Sequence, residues 1–122
     1  MNTTNLFTIS CMILILKGYI TGMPHIDIER DKIPLEIPVH LKHDKAAIVV
    51  IRTRSGVSAF HDCCPHAQWP ISDGEMVDGI LVCPGHGWQF NVTTGQCLNS
   101  PAYQLKPLAV VVDNDNIHIE WA

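Results

Sequence analysis

Four residues of this 122-residue chain have the types and spacing to hold a metal centre: Cys64 and His66 in Cys64-Pro65-His66, and Cys83 and His86 in Cys83-Pro84-Gly85-His86. Each pair offers one thiolate, a soft donor, and one imidazole, a borderline donor, so the set suits iron or zinc. Sixteen residues separate the pairs. Two Cys and two His can close a tetrahedron around zinc, but zinc modules usually group Cys with Cys and His with His. Here each loop carries a mixed pair. That distribution serves a binuclear iron cluster, in which one iron takes both cysteines and the other both histidines. Pro65 and Pro84 stiffen the two loops and remove a backbone donor beside each cysteine.

The remaining candidates read more plainly. An odd count of five cysteines, interleaved with histidines, fits ligation better than a disulfide framework. Cys63 could compete for iron in a Cys63-x2-His66 register, but it reads better as a neighbour packed under the loop. Cys11 and Cys97 read as free, buried thiols, and a Cys63–Cys97 bridge has weak support. His25, His40, His43, His61 and His118 read as surface or strand histidines. Trp69 and Trp88 flank the pairs, either packing the loops over the site or offering an apolar contact to a partner.

The elements that must position these loops are short strands. Eight Gly, eight Pro and only 16% charged residues favour a turn-rich β architecture, and 122 residues leave room for one modest domain with no internal repeat. Leu35 to Leu41 alternates apolar and polar positions, with Pro38 marking an edge or a bulge. Ala46–Thr53 is a β-branched run that leads through a Ser-Gly turn into Val57–Phe60. Further β segments are expected at Gly79–Val82, Gln89–Val92, Leu108–Val112 and Ile117–Trp121, the last two forming a hairpin around Asp113 to Asn116. No sustained helical period follows Met23, so the expectation is predominantly antiparallel β.

Residues 1–22 are set apart as an extension, and 23–122 as the domain. The apolar run Leu6 to Leu16 is shorter than the roughly 20 residues of a membrane span. It has the length of a signal-peptide core, yet no Lys or Arg precedes it and no good cleavage site follows. A packed element, a start at Met23, and an export or anchor signal all remain open, and a cytoplasmic location is the default. The formal net charge of −4 argues against binding a phosphate backbone. From His61 to Ser100 there is no Lys or Arg, while Asp62, Asp73, Glu75 and Asp78 supply four negative charges. They read as a solvated face suited to a basic partner.

Cys-x-His, sixteen residues, then Cys-x2-His resembles the ligand signature of Rieske proteins. The surrounding run CPHAQWPISDGEMVDGILVCPGHGWQFNVTTG is similar to theirs, and the match extends from about Ile33 to Trp121. The resemblance implies an all-β, Rieske-like antiparallel β-sandwich with a small cluster-binding subdomain of two loops. It also implies one [2Fe-2S] cluster held by Cys64, His66, Cys83 and His86, with the histidines on the ferrous side and the cysteines on a buried ferric iron. High-potential members carry a loop-linking disulfide and Ser and Tyr donors to the cluster. This chain has Trp69 and Gly85 at the places of the cysteines, Trp88 for the serine and Phe90 for the tyrosine. Loss of hydroxyl donors and acidic surroundings both disfavour the added electron, so a potential near the low end, about −150 mV, is expected.

The implied function is that of a small ferredoxin carrying single electrons from a flavin-dependent reductase to a terminal mono- or dioxygenase. The chain is too short to add a catalytic iron domain, so chemistry on a substrate falls to the partner. The rival reading is a Rieske small subunit or module inside a larger oxidoreductase, and a structural zinc module is the more distant one.

Overall fold

The computed structural model describes residues 23–121, so the readings of the N-terminal extension and of Cys11 lie outside them. The described chain is all-β, with nine strands in three antiparallel sheets of three. No helix among the described residues is long and apolar enough to cross a membrane.

The chain divides into two compact units. One contains residues 23–30 and 109–121, where β1 (His25–Glu29) and β8 (Ala109–Asp113) flank β9 (Asn116–Glu120). β8 and β9 form the expected hairpin, closed at the Asp113–Asn116 pair with Asn114 in the left-handed region (φ 54°). Short polar Asn tolerates that conformation.

The other unit, residues 31–108, holds two sheets. In the first, β3 (Ala46–Thr53) lies between β2 (Val39–His43) and β4 (Gly56–His61). Ile48, Val49, Val50 and Ile51 are all fully buried, so both faces of β3 are covered and its unbroken β-branched run is explained. The strand expected from Leu35 begins only at Val39, because Pro38 has no N–H for a ladder; Leu35 instead makes one isolated bridge to Arg52. The β3–β4 turn falls one residue earlier than the Ser-Gly reading: Arg54 and Ser55 form it, and Gly56 already pairs with Thr53.

The second sheet carries the site. It joins β5 (Glu75–Val77), β6 (Ile80–Val82) and β7 (Gln89–Asn91) in that order. The β5–β6 turn places both Asp78 and Gly79 at positive φ, 52° and 78°, as a tight two-residue hairpin requires. One apolar cluster links the two sheets of this unit, including Val49, Ile51, Phe60, Ile71, Leu81 and Phe90, and it contains both Cys64 and Cys83.

Candidate functional site

Two loops of one design carry the four donors. After β4, the Cys64 carbonyl accepts from the Gln68 N–H at 2.7 Å, and the Cys64 N–H donates to the Trp69 carbonyl at 2.8 Å. Between β6 and β7, the Cys83 carbonyl accepts from Gly87 N–H at 3.0 Å, and Cys83 N–H donates to the Trp88 carbonyl at 2.7 Å. The fifth residue of each loop has positive φ, Gln68 at 61° and Gly87 at 73°. Cys64-Pro65-His66-Ala67-Gln68-Trp69 and Cys83-Pro84-Gly85-His86-Gly87-Trp88 are therefore two loops of one backbone design, alike in sequence at their Cys, Pro and Trp. Histidine stands third in one loop and fourth in the other.

This design brings the candidate donors together in two pairs, Cys64 with Cys83 and His66 with His86. Cys64 and Cys83 are buried to 0% and 1% exposure, and their thiols lie in mutual contact. Burial pushes the Cys64 pKa up; the N–H groups of Ala67 and His66, aimed at its sulfur, work against that rise, and neighbouring Cys83 adds to it. His66 and His86 are exposed, with ring centroids 4.9 Å apart in an edge-to-face arrangement. Among the described residues, no three His, Cys, Asp or Glu side chains converge as one metal ion would need. Two thiols toward the core and two imidazoles toward solvent form two pairs, the donor set a binuclear cluster takes.

The neighbours correct several expectations. Cys63 is exposed rather than packed under the loop, while Cys97 is buried and free as expected, and none of Cys63, Cys64, Cys83 or Cys97 is bridged. Asp62 is not part of a solvated face. Its side chain is fully buried, 2.6 Å from His40 Nδ1, and accepts from the Ser72 N–H at 2.8 Å and from the Ser72 hydroxyl. It thus ties the stem of the first loop to β2 and to the 3-10 turn Ile71–Asp73. Asp73, Glu75 and Asp78 are exposed, and Asp73 and Glu75 line an open cleft of ≈360 Å³ with Val82, Cys83 and Pro84.

Trp88 stacks on His66, with centroids 3.9 Å apart and planes 14° apart, whereas Trp69 is half exposed. Phe90 is fully buried and brings no hydroxyl. Tyr103, which sequence reasoning passed over, lies edge-on to Trp88 at 5.1 Å and to His66 at 6.2 Å. It is held there through its carbonyl, which accepts from Cys97 N–H at 3.1 Å and from Gln96 Nε2 at 3.1 Å. Nothing in its local sequence marked it, since the contact is made across the loop that follows β7.

The family model for the Rieske [2Fe-2S] domain matches residues 24–112. The chain belongs to the Rieske family. Among its relatives, the ferredoxin component of biphenyl 2,3-dioxygenase from Rhodococcus jostii is 30% identical over 60% of this chain and 69% of that protein. The oxygenase component of dicamba O-demethylase from Stenotrophomonas maltophilia is 49% identical, over 37% of this chain and 13% of its own length. This Rieske chain spans less than two thirds of the length of several curated relatives, and only 12% to 13% of three of them. Among solved structures, the ferredoxin of carbazole 1,9a-dioxygenase from Nocardioides aromaticivorans superposes with a TM-score of 0.68 at 25% identity, covering 76% of this chain and 92% of that one.

Proposed function

We propose that Cys64, His66, Cys83 and His86 of this Rieske domain hold one [2Fe-2S] cluster and that the chain is a ferredoxin, passing single electrons from a flavin-dependent reductase to an oxygenase. The carrying observation is the paired geometry: two buried thiols in contact and two exposed imidazoles, presented by two loops of one design. When bound, such a cluster supplies one-electron storage. The residues do the rest. Cys64 and Cys83 anchor it among apolar side chains that exclude water, and the N–H groups of His66 and Ala67 offset the charge on sulfur. His66 and His86 are exposed to solvent, the side from which a partner approaches.

The ferredoxin relatives support the carrier role, since most of their length aligns with this chain. The absence of hydroxyls at Trp88 and Phe90, and the acidic cleft beside Cys83, support a potential at the low end of the Rieske range, about −150 mV. Higher local identity to an oxygenase component favours a second reading, the same relay as a module of a larger oxidoreductase. Purification separates the two. A chain that runs alone and is reduced by a flavin reductase supports the carrier, whereas stable co-purification with a large subunit supports the module. Voltammetry of the loaded protein tests the tuning, and a midpoint several hundred millivolts positive would contradict it.

A further inference from the structure

The tryptophans that end the two loops reach across to one another's loop. Trp88 stacks on the His66 ring. Trp69 lies against Gly85: a Cβ placed on Gly85 would stand 2.4 Å from Trp69 Cδ1, 2.6 Å from Nε1 and 3.0 Å from Cγ. Distances under 3.0 Å are closer than real Cβ contacts come, so any larger residue must displace the indole.

Backbone conformation does not demand glycine at this position. Gly85 is absent from the residues with positive φ, unlike Gly87 at 73°. The contrast is sharp, because a Cβ on Gly87 would meet nothing within 4 Å. Gly87 is needed for its conformation and Gly85 for the space it leaves. Nor is Trp69 a core side chain, since 49% of it remains exposed. With Cys63, Cys64, Cys83 and Cys97 all free, no disulfide among the described residues joins the loops.

The geometry points to Trp69 as a positioning residue, a non-covalent clasp that seats on Gly85, holds the two ligand loops at their working separation and retains the cluster. This rests on the ligand reading above. The clasp stabilises the pair of loops only while the four donors are together, so it acts on release of the cluster. A half-exposed aromatic contact of this kind corresponds to a change of about threefold to tenfold in a rate or equilibrium.

The test is a double-mutant cycle on the cluster-loaded full chain. Loss of visible absorbance under an iron chelator is timed for the unsubstituted protein, Trp69→Ala, Gly85→Ala and the double variant. Trp69→Ala should release the cluster about threefold to tenfold faster. Gly85→Ala should do the same by unseating the indole, and tryptophan emission should shift to the red. In the Trp69→Ala background, Gly85→Ala should add nothing. Trp69→Phe should restore slow release in part. Equal effects of Gly85→Ala in both backgrounds, or release unchanged by Trp69→Ala, would overturn the clasp. Iron and sulfide assays on the unsubstituted protein stand apart from the cycle: a chain lacking both would sink the ligand assignment itself.

Discussion

At Cys64, burial and the facing Cys83 resist the thiolate while the N–H groups of His66 and Ala67 favour it. The histidines lie at the solvent side, where neutral imidazole keeps the site less negative than a four-thiolate site would be. Exchanging one imidazole for a thiolate adds a negative charge, so His66→Cys or His86→Cys should keep a cluster in a fraction of molecules and lower its potential by on the order of 100 mV. Voltammetry of the iron-loaded fraction reads this directly. In the unit of β1, β8 and β9, His118 sits between Asp27, 2.6 Å from its Nδ1, and Glu120, 3.3 Å from its Nε2, with His25 stacked on the ring at 5.0 Å. Burial disfavours its charge, but the two carboxylates win and its pKa is raised above 6.5. Asp27 is lowered below 3.8, chiefly by its hydrogen bond to His118. The His118 contribution is whole below 6.5 and fades as pH rises through the higher folded value; that of Asp27 is whole above 3.8 and fades as pH falls below it. The stability gap between the chain and His118→Gln should therefore be widest between those values and narrow in alkali, as urea midpoints across pH will show.

The sheet of β5, β6 and β7 is small, and contacts outside its ladders fix it to the ligand loops. Gly74 packs so close to β6 that a Cβ there would stand 1.9 Å from the Val82 carbonyl oxygen. Gly74→Ala must push back the strand that leads into Cys83 and should cost about 1–3 kcal/mol in denaturant unfolding. Asp62→Ala should cost about 1–3 kcal/mol by the same measurement, because it strands the partners of a buried carboxylate. The strands legible in the sequence were those with length or β-branching, such as Ala46–Thr53, or a turn signal at both ends. β1 was missed because His25–Glu29 is short and half charged, and its partner β9 is nearly the whole chain away. β5 was missed although Asp78-Gly79 announced its hairpin, since three residues give too little alternation to read. The candidate donor positions stood out in the sequence because metal chemistry constrains residue type and spacing locally. The roles of Asp62, Tyr103 and Gly85 did not, because each depends on a contact made between separate segments.

Over the whole chain the net charge of −4 equals the charge of the Lys- and Arg-free segment around the ligands. Exposed Asp73, Glu75 and Asp78 keep part of that charge facing water beside the second loop. Electron transfer to a basic protein acceptor such as cytochrome c should therefore slow as ionic strength rises through the range where the screening length shrinks to about 10 Å. Stopped-flow rates at graded salt will measure it. In the proposed reading the same negative surroundings and the hydroxyl-free neighbours Trp88 and Phe90 would set the tuning, and the four candidate donors the kind of centre. Electron paramagnetic resonance of the dithionite-reduced protein, with iron and sulfide assayed on the same sample, tests that assignment most directly. Two irons, two sulfides and a rhombic signal with an average g below that of all-cysteine clusters are the predicted result. A protein fully loaded with iron and sulfide that lacks this signal, or a colourless one holding zinc, would contradict it.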